Sequence, residues 1–195
     1  MKHYFLLLTV IMMVTPAVAF ASNWSIDGDH SSAQFKVRHL MVSNVKGEFG
    51  KISGVVSIDD NDITRSTAEV TIETATINTG VAKRDEHLRS PDFFDVTKYP
   101  AMTFVSTKVA KAGSDRLKIS GNLTIHGVTK AVVLDVEGPS AVVKDLTGNY
   151  RRGASATTKI NRKDFGLLWN KAIESGGVVV GDEVSITIEV ELLKK

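Results

Sequence analysis

The chain has 195 residues, with 24 lysines and arginines against 22 aspartates and glutamates, and it contains no cysteine. Hydrophobic residues make up 43% of it and charged residues 24%, a globular composition that excludes long disorder. The lack of a thiol excludes a disulfide scaffold, a cysteine zinc site, an iron–sulfur cluster and a cysteine nucleophile. Nucleic-acid binders usually carry a clustered basic surplus, whereas the net charge here is +2, so we expect no nucleic-acid partner.

The first 21 residues have the pattern of a secretory signal peptide. Lys2 and His3 give a basic start, residues 5–14 are apolar, and residues 19–21 supply the A-x-A end of a cleavage site. A transmembrane helix needs about 20 apolar residues, so this run is too short to be one. We predict cleavage near Ala21, a periplasmic location, and one soluble domain over residues 22–195.

Apolar and polar residues alternate with period two through most of the mature chain. Strands are predicted at 33–39, 51–58, 67–77, 102–109, 117–125, 130–137, 153–160 and 183–192, with a weaker one at 141–146. Pro91, Pro100 and Pro139 fall between strands, where no ladder donor is lost. Strands at such short spacing predict an all-β sandwich or barrel.

Two insertions predict short helices, and in a β chain such segments often lie across a barrel mouth. Residues 81–89 are rich in helix formers, and Ser90-Pro91-Asp92 then predicts a capped turn through Phe94. Residues 164–174, which lead into two glycines, predict the second helix.

Alternation alone is compatible with two kinds of barrel. An outer-membrane barrel is apolar outside and has two aromatic girdles, but here Phe93, Phe94 and Tyr99 fall together in one loop. We therefore predict a barrel with its apolar face inside, which is either filled by side chains or holds an apolar ligand. The small inward residues Gly54, Ala68, Gly121, Ala154 and Ala156 favour open space.

No polar motif identifies a catalytic or metal site. The mature histidines form no H-x-H or H-E-x-x-H pair, and no G-x-S-x-G elbow is present. Residues 84–89 (RDEHLR) are the densest polar segment. They are either a cationic rim for a ligand head or a solvated helix face with an Asp85–Arg89 pair. We predict no metal, no catalytic residue and no required cofactor.

Several short motifs occur in a fixed order along the mature chain. They are Trp24-Ser-Ile-Asp27 with His30-Ser31, Phe35-Lys-Val-Arg-His39, Gly47-Glu-Phe49, Arg84-Asp-Glu-His-Leu88, Asp92-Phe-Phe-Asp95 with Tyr99-Pro100, Gly121-Asn-Leu-Thr-Ile-His-Gly127-Val-Thr129, Ile160-Asn-Arg162-Lys-Asp-Phe-Gly166 and Val180-Gly-Asp-Glu-Val184. In this order the chain resembles the YceI family of exported, lipocalin-like polyisoprenoid-binding proteins. The resemblance implies an eight-stranded antiparallel barrel around an elongated apolar cavity. The cavity would hold an isoprenoid, such as a quinone-like lipid or a prenyl phosphate, or another lipid.

The resemblance suggests two sets of ligand contacts. The candidates for the lipid tail are Phe35, Val37, Phe49, Phe93, Phe94, Met102, Phe104, Leu117 and Trp169. The candidates for the ligand head are Arg84, His87, His126 and Arg162. In a rival interpretation, Asp85, Asp164 and the histidines pair within the protein and close the barrel ends.

Three functions follow from these observations. The first is a periplasmic lipid carrier that performs no chemistry. The second is an enzyme that acts on a lipid head group, with His87, His126 and Asp85 as acid–base groups. The third is a stress or interaction protein with a filled barrel. Transient membrane contact and a homodimer remain open.

Overall fold

The predicted alternation becomes a closed antiparallel barrel in the computed structural model, which describes residues 21–174 and 176–195. The predicted signal peptide, residues 1–21, lies outside the described residues apart from Ala21. Within the described ranges, no helix is both long enough and apolar enough to cross a bilayer.

Twelve strand segments occupy eight positions around the barrel. The segments are β1 (Ser22–Ile26), β2 (Ser32–His39), β3 (Ser43–Phe49), β4 (Ile52–Ile58), β5 (Thr67–Glu73), β6 (Ile77–Asn78), β7 (Ala101–Lys111), β8 (Arg116–Ile125), β9 (Val128–Glu137), β10 (Val143–Lys144), β11 (Tyr150–Asn161) and β12 (Val180–Lys194). Four of these positions each contain two consecutive segments that lie end to end, namely β1 and β2, β3 and β4, β5 and β6, and β9 and β10. For example, β1 and β2 both pair with β12, and β9 and β10 both pair with β11. Strand β12 closes the barrel because it pairs with β11 along one edge and with β1 and β2 along the other.

The barrel is a simple up-and-down meander, so its connections fall alternately at two ends. The helix end contains the β2–β3 turn, the β6–β7 connection with helix α1 (Ala82–Arg89), the β8–β9 turn and the β11–β12 connection. The terminal end contains residue 22, residue 194 and the connections 59–66, 112–115 and 138–149.

Most of the predicted elements are confirmed. Eight of the predicted strands and the helix at 81–89 are present, whereas the weak strand at 141–146 is reduced to the two residues of β10. The sequence prediction missed β1 and β3. In β7 a bulge between Ser106 and Lys108 shifts the alternation, so Met102, Phe104 and then Val109 all face inward.

The predicted helix at 164–174 is wrong. A short 3₁₀ turn, Arg162–Phe165, ends at Gly166 in the left-handed region (φ 79°), and the chain then forms an irregular loop. Arg162 takes the carbonyl oxygens of Leu167 and Trp169 as hydrogen-bond acceptors. In a helix the amides of Lys171 and Ile173 would donate to these two carbonyls, but here they donate to Asn170 Oδ1 and to the Gly177 carbonyl.

The buried side chains form three separate apolar clusters. One lies near the helix end, around Phe49 and Phe165, a second surrounds Trp24, and the third contains Val109, Leu117 and Val136. The interior is thus not one continuous packed core, unlike that of most small domains.

The prediction of open space beside Gly121 is wrong. The ring of Phe104 lies over this glycine, and the ring of Phe35 covers Gly47 in the same way. Ala68 and Ala156, in contrast, do line open space, as predicted. Gly54 does not line open space either, because it lies against the backbone of Glu69 and Val70.

An arginine joins three parts of the terminal end. Arg151 Nη1 donates to Asp27 Oδ2 (2.6 Å) and to Glu191, while its Nε donates to Asp145 Oδ2 (2.6 Å). Side-chain hydrogen bonds, the largest effect from Arg151 and the next from His30, lower the pKa of the Asp27 carboxyl to about 2. The guanidinium therefore ties β1 and the 138–149 connection to the last strand.

We expect Arg151→Met to raise the pKa of Asp27 from about 2 toward its ordinary value of 3.8, because the main hydrogen-bond donor is lost. An acid titration in which NMR monitors the chemical shift of the Asp27 carboxyl carbon measures this pKa. Arg152→Met is the matched control, because Arg152 pairs with Asp60 and not with Asp27.

The sign of the accompanying stability change follows from linkage. The folded-state pKa of Asp27 is depressed, so its stabilisation is present above about pH 4 and is lost as the pH falls toward 2. Arg151→Met should remove this acid-sensitive component. An unchanged Asp27 pKa in that variant would show that Arg151 does not hold the carboxylate.

Candidate functional site

An apolar cavity of about 270 Å³ lies inside the barrel, and all eight barrel positions contribute to its wall. One water molecule needs only about 10–15 Å³ measured in the same way, so the space is many times that size. Its lining is almost wholly aliphatic and aromatic. Dry apolar cavities of this kind take up apolar ligands.

The cavity extends through most of the barrel. Ile58, Ile63 and Pro139 line it at the terminal end, and Leu88 and Phe94 line it at the helix end. Strand β7 contacts it from residue 102 to residue 109, a span of roughly 20 Å along the strand. The shape is therefore elongated and suits a chain better than a compact ring.

Eight of the nine tail candidates line this cavity. They are Phe35, Val37, Phe49, Phe93, Phe94, Met102, Phe104 and Leu117. The ninth, Trp169, is not part of the lining. Alternation within the predicted strands thus accounts for part of the cavity wall. That these side chains contact a lipid stays a prediction.

An aromatic cluster covers the helix end. The ring of His87, on α1, packs edge-on against Phe93 and Trp169, with both centroid distances 5.0 Å. Phe93 and Trp169 are 5.1 Å apart, and His87 Nε2 lies 2.8 Å from Asp92 Oδ2. We call His87, Phe93 and Trp169 the aromatic lid. It brings together one head candidate and two tail candidates.

Arg162 is buried at the helix end and is the one head candidate that lines the cavity. Its donors bond to the carbonyl oxygens of Leu167, Trp169 (3.0 Å), Gly181 (2.9 Å) and Val180 (3.3 Å). Asp182 lies 3.5 Å away, and burial lowers the pKa of the guanidinium. Since its hydrogen bonds are made to the backbone, Arg162 holds the β11–β12 connection in place.

The other head candidates have separate partners. Arg84 donates from Nε to Thr79 Oγ1 (2.7 Å), and the buried Asp85 carboxylate accepts from the Thr79 amide (2.9 Å). His126 lies against the Tyr99 ring, at a centroid distance of 4.4 Å. The structure thus does not assemble His87, His126 and Asp85 into one acid–base site.

Of the predicted tail candidates only Leu117 lies close to the terminal end, so sequence reasoning missed most of the cavity wall there. Ile26, Ile58 and Ile63 line it, and Trp24 packs among its neighbours with 1% of its surface exposed. β1 has only five residues, so its alternation was too short to detect. The start of the Trp24 motif was the signal that could have revealed it.

One cluster has the composition of a metal site but already holds a cation. Carboxylate and imidazole atoms of Asp27, His30 and Glu191 lie within 4.8 Å of one another. Arg151 donates to both of these carboxylates, and His30 Nδ1 lies 2.9 Å from Asp27 Oδ2. The guanidinium therefore occupies the position that a metal ion would need.

Comparison with known proteins gives a consistent result. The family model described as YceI-like domain matches residues 24–192. A UPF0312 protein of Staphylococcus aureus is 38% identical over 170 residues, which cover 87% of this chain and 96% of that protein.

Two solved structures are also similar. The Campylobacter jejuni YceI protein has a TM-score of 0.69 at 38% identity, over 81% of this chain and 90% of that one. A structure described as a polyisoprenoid-binding domain from Saccharophagus degradans has a TM-score of 0.65 at 18% identity, over 90% of this chain and all of that one. The second likeness concerns the fold alone.

We expect Arg162→Gln to lower the free energy of unfolding by about 3 kcal/mol, because buried carbonyl oxygens would lose their donors. Urea unfolding monitored by tryptophan fluorescence measures this change in the free energy of unfolding. Lys163→Gln is the control: Lys163 also contacts Asp182, but its side chain is exposed, so we expect a loss below about 0.5 kcal/mol. Equal stability of both variants and the wild type would contradict the structural role of Arg162.

Proposed function

The chain belongs to the YceI-like domain family, and we propose that it binds a long-chain isoprenoid or related lipid in the barrel cavity and carries it through the periplasm. The observation that carries the proposal is the elongated apolar cavity, which runs from the helix end toward the terminal end. The signal-peptide pattern of residues 1–21 supports export.

The wall of the cavity selects by apolar area rather than by specific hydrogen bonds. Each Å² of apolar surface removed from water contributes about 25 cal/mol, so a long hydrocarbon chain gains more than a short one. A polyisoprenoid chain is apolar along its length and fits such a wall. The polyisoprenoid-binding domain of Saccharophagus degradans, which shares this fold, supports this ligand class, and a quinone or prenyl phosphate head belongs to the same proposal.

The ligand head would lie at the helix end. The side chain of His87 is 41% exposed in the aromatic lid, and Arg84 lies on the same helix. We propose His87 for direct contact with the head, because Arg84 donates to Thr79, Arg162 is bonded to the backbone and His126 packs on Tyr99. Phe93 and Phe94 would then contact the first part of the tail.

Binding alone accounts for the site, and no chemistry is required of it. The three acid–base groups of the enzyme hypothesis have separate structural partners, as described above. The filled-barrel hypothesis conflicts with the open volume inside the barrel. Since long isoprenoids are almost insoluble in water, shielding one from the solvent is a sufficient function.

Filling the cavity tests this proposal. Ala156 lines the cavity, whereas its neighbour Thr157 is exposed on the outer face of β11. We expect Ala156→Phe to weaken uptake of a detergent-solubilised long-chain polyprenol by at least about tenfold, because the ring occupies ligand space. Equilibrium binding with radiolabelled polyprenol measures the affinity.

Thr157→Phe is the matched control, since it adds the same ring on the outside. It should bind polyprenol as the wild type does. Loading the wild type should also raise its Tm by mass action, and this rise should be smaller in Ala156→Phe. A well-folded wild-type barrel that takes up no polyprenol would refute the proposal.

A further inference from the structure

We propose that the β2–β3 hairpin is a membrane-docking finger that places the helix end of the barrel against an anionic bilayer surface. The finger consists of an apolar tip, Leu40-Met41-Val42, and a basic shaft formed by Lys36, Arg38 and Lys46. This surface property goes beyond the proposed lipid binding and can be measured independently of the cavity's contents.

The tip has residues that its backbone does not favour. The Val42 amide donates to the His39 carbonyl (3.1 Å), and the two central residues, Leu40 (φ 49°) and Met41 (φ 60°), are both left-handed. Turns of this form strongly prefer Asn-Gly, because asparagine and glycine tolerate positive φ. Two bulky apolar residues at these positions therefore have a role other than forming the turn.

The side chains of the tip face solvent. Leu40 is 36% exposed, Met41 51% and Val42 76%. The Leu40 amide donates to the Val179 carbonyl (2.9 Å), and Arg38 donates to the Met41 carbonyl (2.9 Å). The apolar tip is therefore held in a fixed position and presented outward.

The shaft beneath the tip supplies the charge that an anionic surface attracts. Lys36 and Lys46 lie directly opposite each other on the exposed face, where like charges are unfavourable. In the part of the chain that the structure describes, neither these lysines nor Arg38 forms an ion pair with a carboxylate. Cationic residues beside exposed apolar ones are typical of interfacial membrane contacts.

The finger also lies at the helix end of the barrel, the end that would have to face a membrane if a lipid passes between the membrane and the cavity. It shares the helix end with the aromatic lid, and Leu168, beside Trp169, is a further exposed apolar side chain there (65%). A bilayer that contacts the finger would face this end of the cavity. The occupant we propose is therefore a phospholipid surface with anionic head groups.

A matched control exists at the opposite end of the barrel. Leu146 is fully exposed, at 107% of its reference area. Its turn has ordinary chemistry, with Asp145 Oδ1 accepting from the Thr147 amide (2.9 Å) and a glycine, Gly148, at positive φ. Leu146 thus offers comparable apolar exposure without a strained turn.

Vesicle flotation of the mature protein tests the proposal. Vesicles of phosphatidylglycerol and phosphatidylethanolamine should carry the wild type upward at low salt, and pure phosphatidylcholine vesicles should do so far less. Leu40→Asn with Met41→Gly installs the residues that the turn prefers. We expect this variant to keep or raise its Tm while vesicle binding falls by at least about tenfold.

The charged shaft and the opposite end provide the remaining variants. Lys36→Gln and Lys46→Gln should each weaken binding to the anionic vesicles about fivefold and reduce its salt dependence. Leu146→Asn should bind as the wild type does. The proposal is overturned if the wild type ignores anionic vesicles, if the double tip variant still floats, or if Leu146→Asn alone abolishes flotation.

The two proposals can fail separately. The double tip variant should take up detergent-solubilised polyprenol normally, because its substitutions lie outside the cavity. Loss of vesicle binding with normal uptake supports docking as a distinct function. Docking without any polyprenol uptake by the wild type would instead refute the proposed lipid carrier. A tip variant that changes only self-association in sedimentation would identify the finger as a contact between two copies, and would overturn membrane docking.

Discussion

The structure depends on an apolar inner face whose side chains do not fill the barrel that they line. Eight antiparallel strands fix the diameter, and alternation points about half of their residues inward. Where an aromatic ring faces a glycine, as at Phe104 and Gly121, the space is filled. Where Ala68 and Ala156 face the centre, it stays open. The buried residues therefore separate into clusters around a cavity.

A hollow barrel without disulfides needs its ends fastened by other means. Two arginines at opposite ends of β11 contribute to this. Arg151 collects three carboxylates at the terminal end, and Arg162 collects backbone carbonyls at the helix end. Both bind parts of the chain that are distant in sequence. A resident lipid would add to the stability that these contacts supply, because it binds only the folded barrel.

The sequence predicted the elements with long, regular alternation, and it could not predict those whose conformation depends on tertiary contacts. The inward phase of β12 was visible because five apolar residues alternate with polar ones. The 164–174 segment was mistaken for a helix because the capture of its carbonyls by Arg162 leaves no local pattern. For the same reason, the sequence could not show that the donors of Arg162, a candidate for the ligand head, bond to backbone carbonyls.

The most direct test of the account is the identity of whatever occupies the cavity in the cell. Native mass spectrometry of the protein purified from cells that express the full-length chain, before and after extraction with organic solvent, measures this occupancy. We expect an excess mass that disappears on extraction and a recovered lipid with an isoprenoid chain. A protein that has the mass of the bare mature chain in every preparation, with no lipid in the extract, would contradict it.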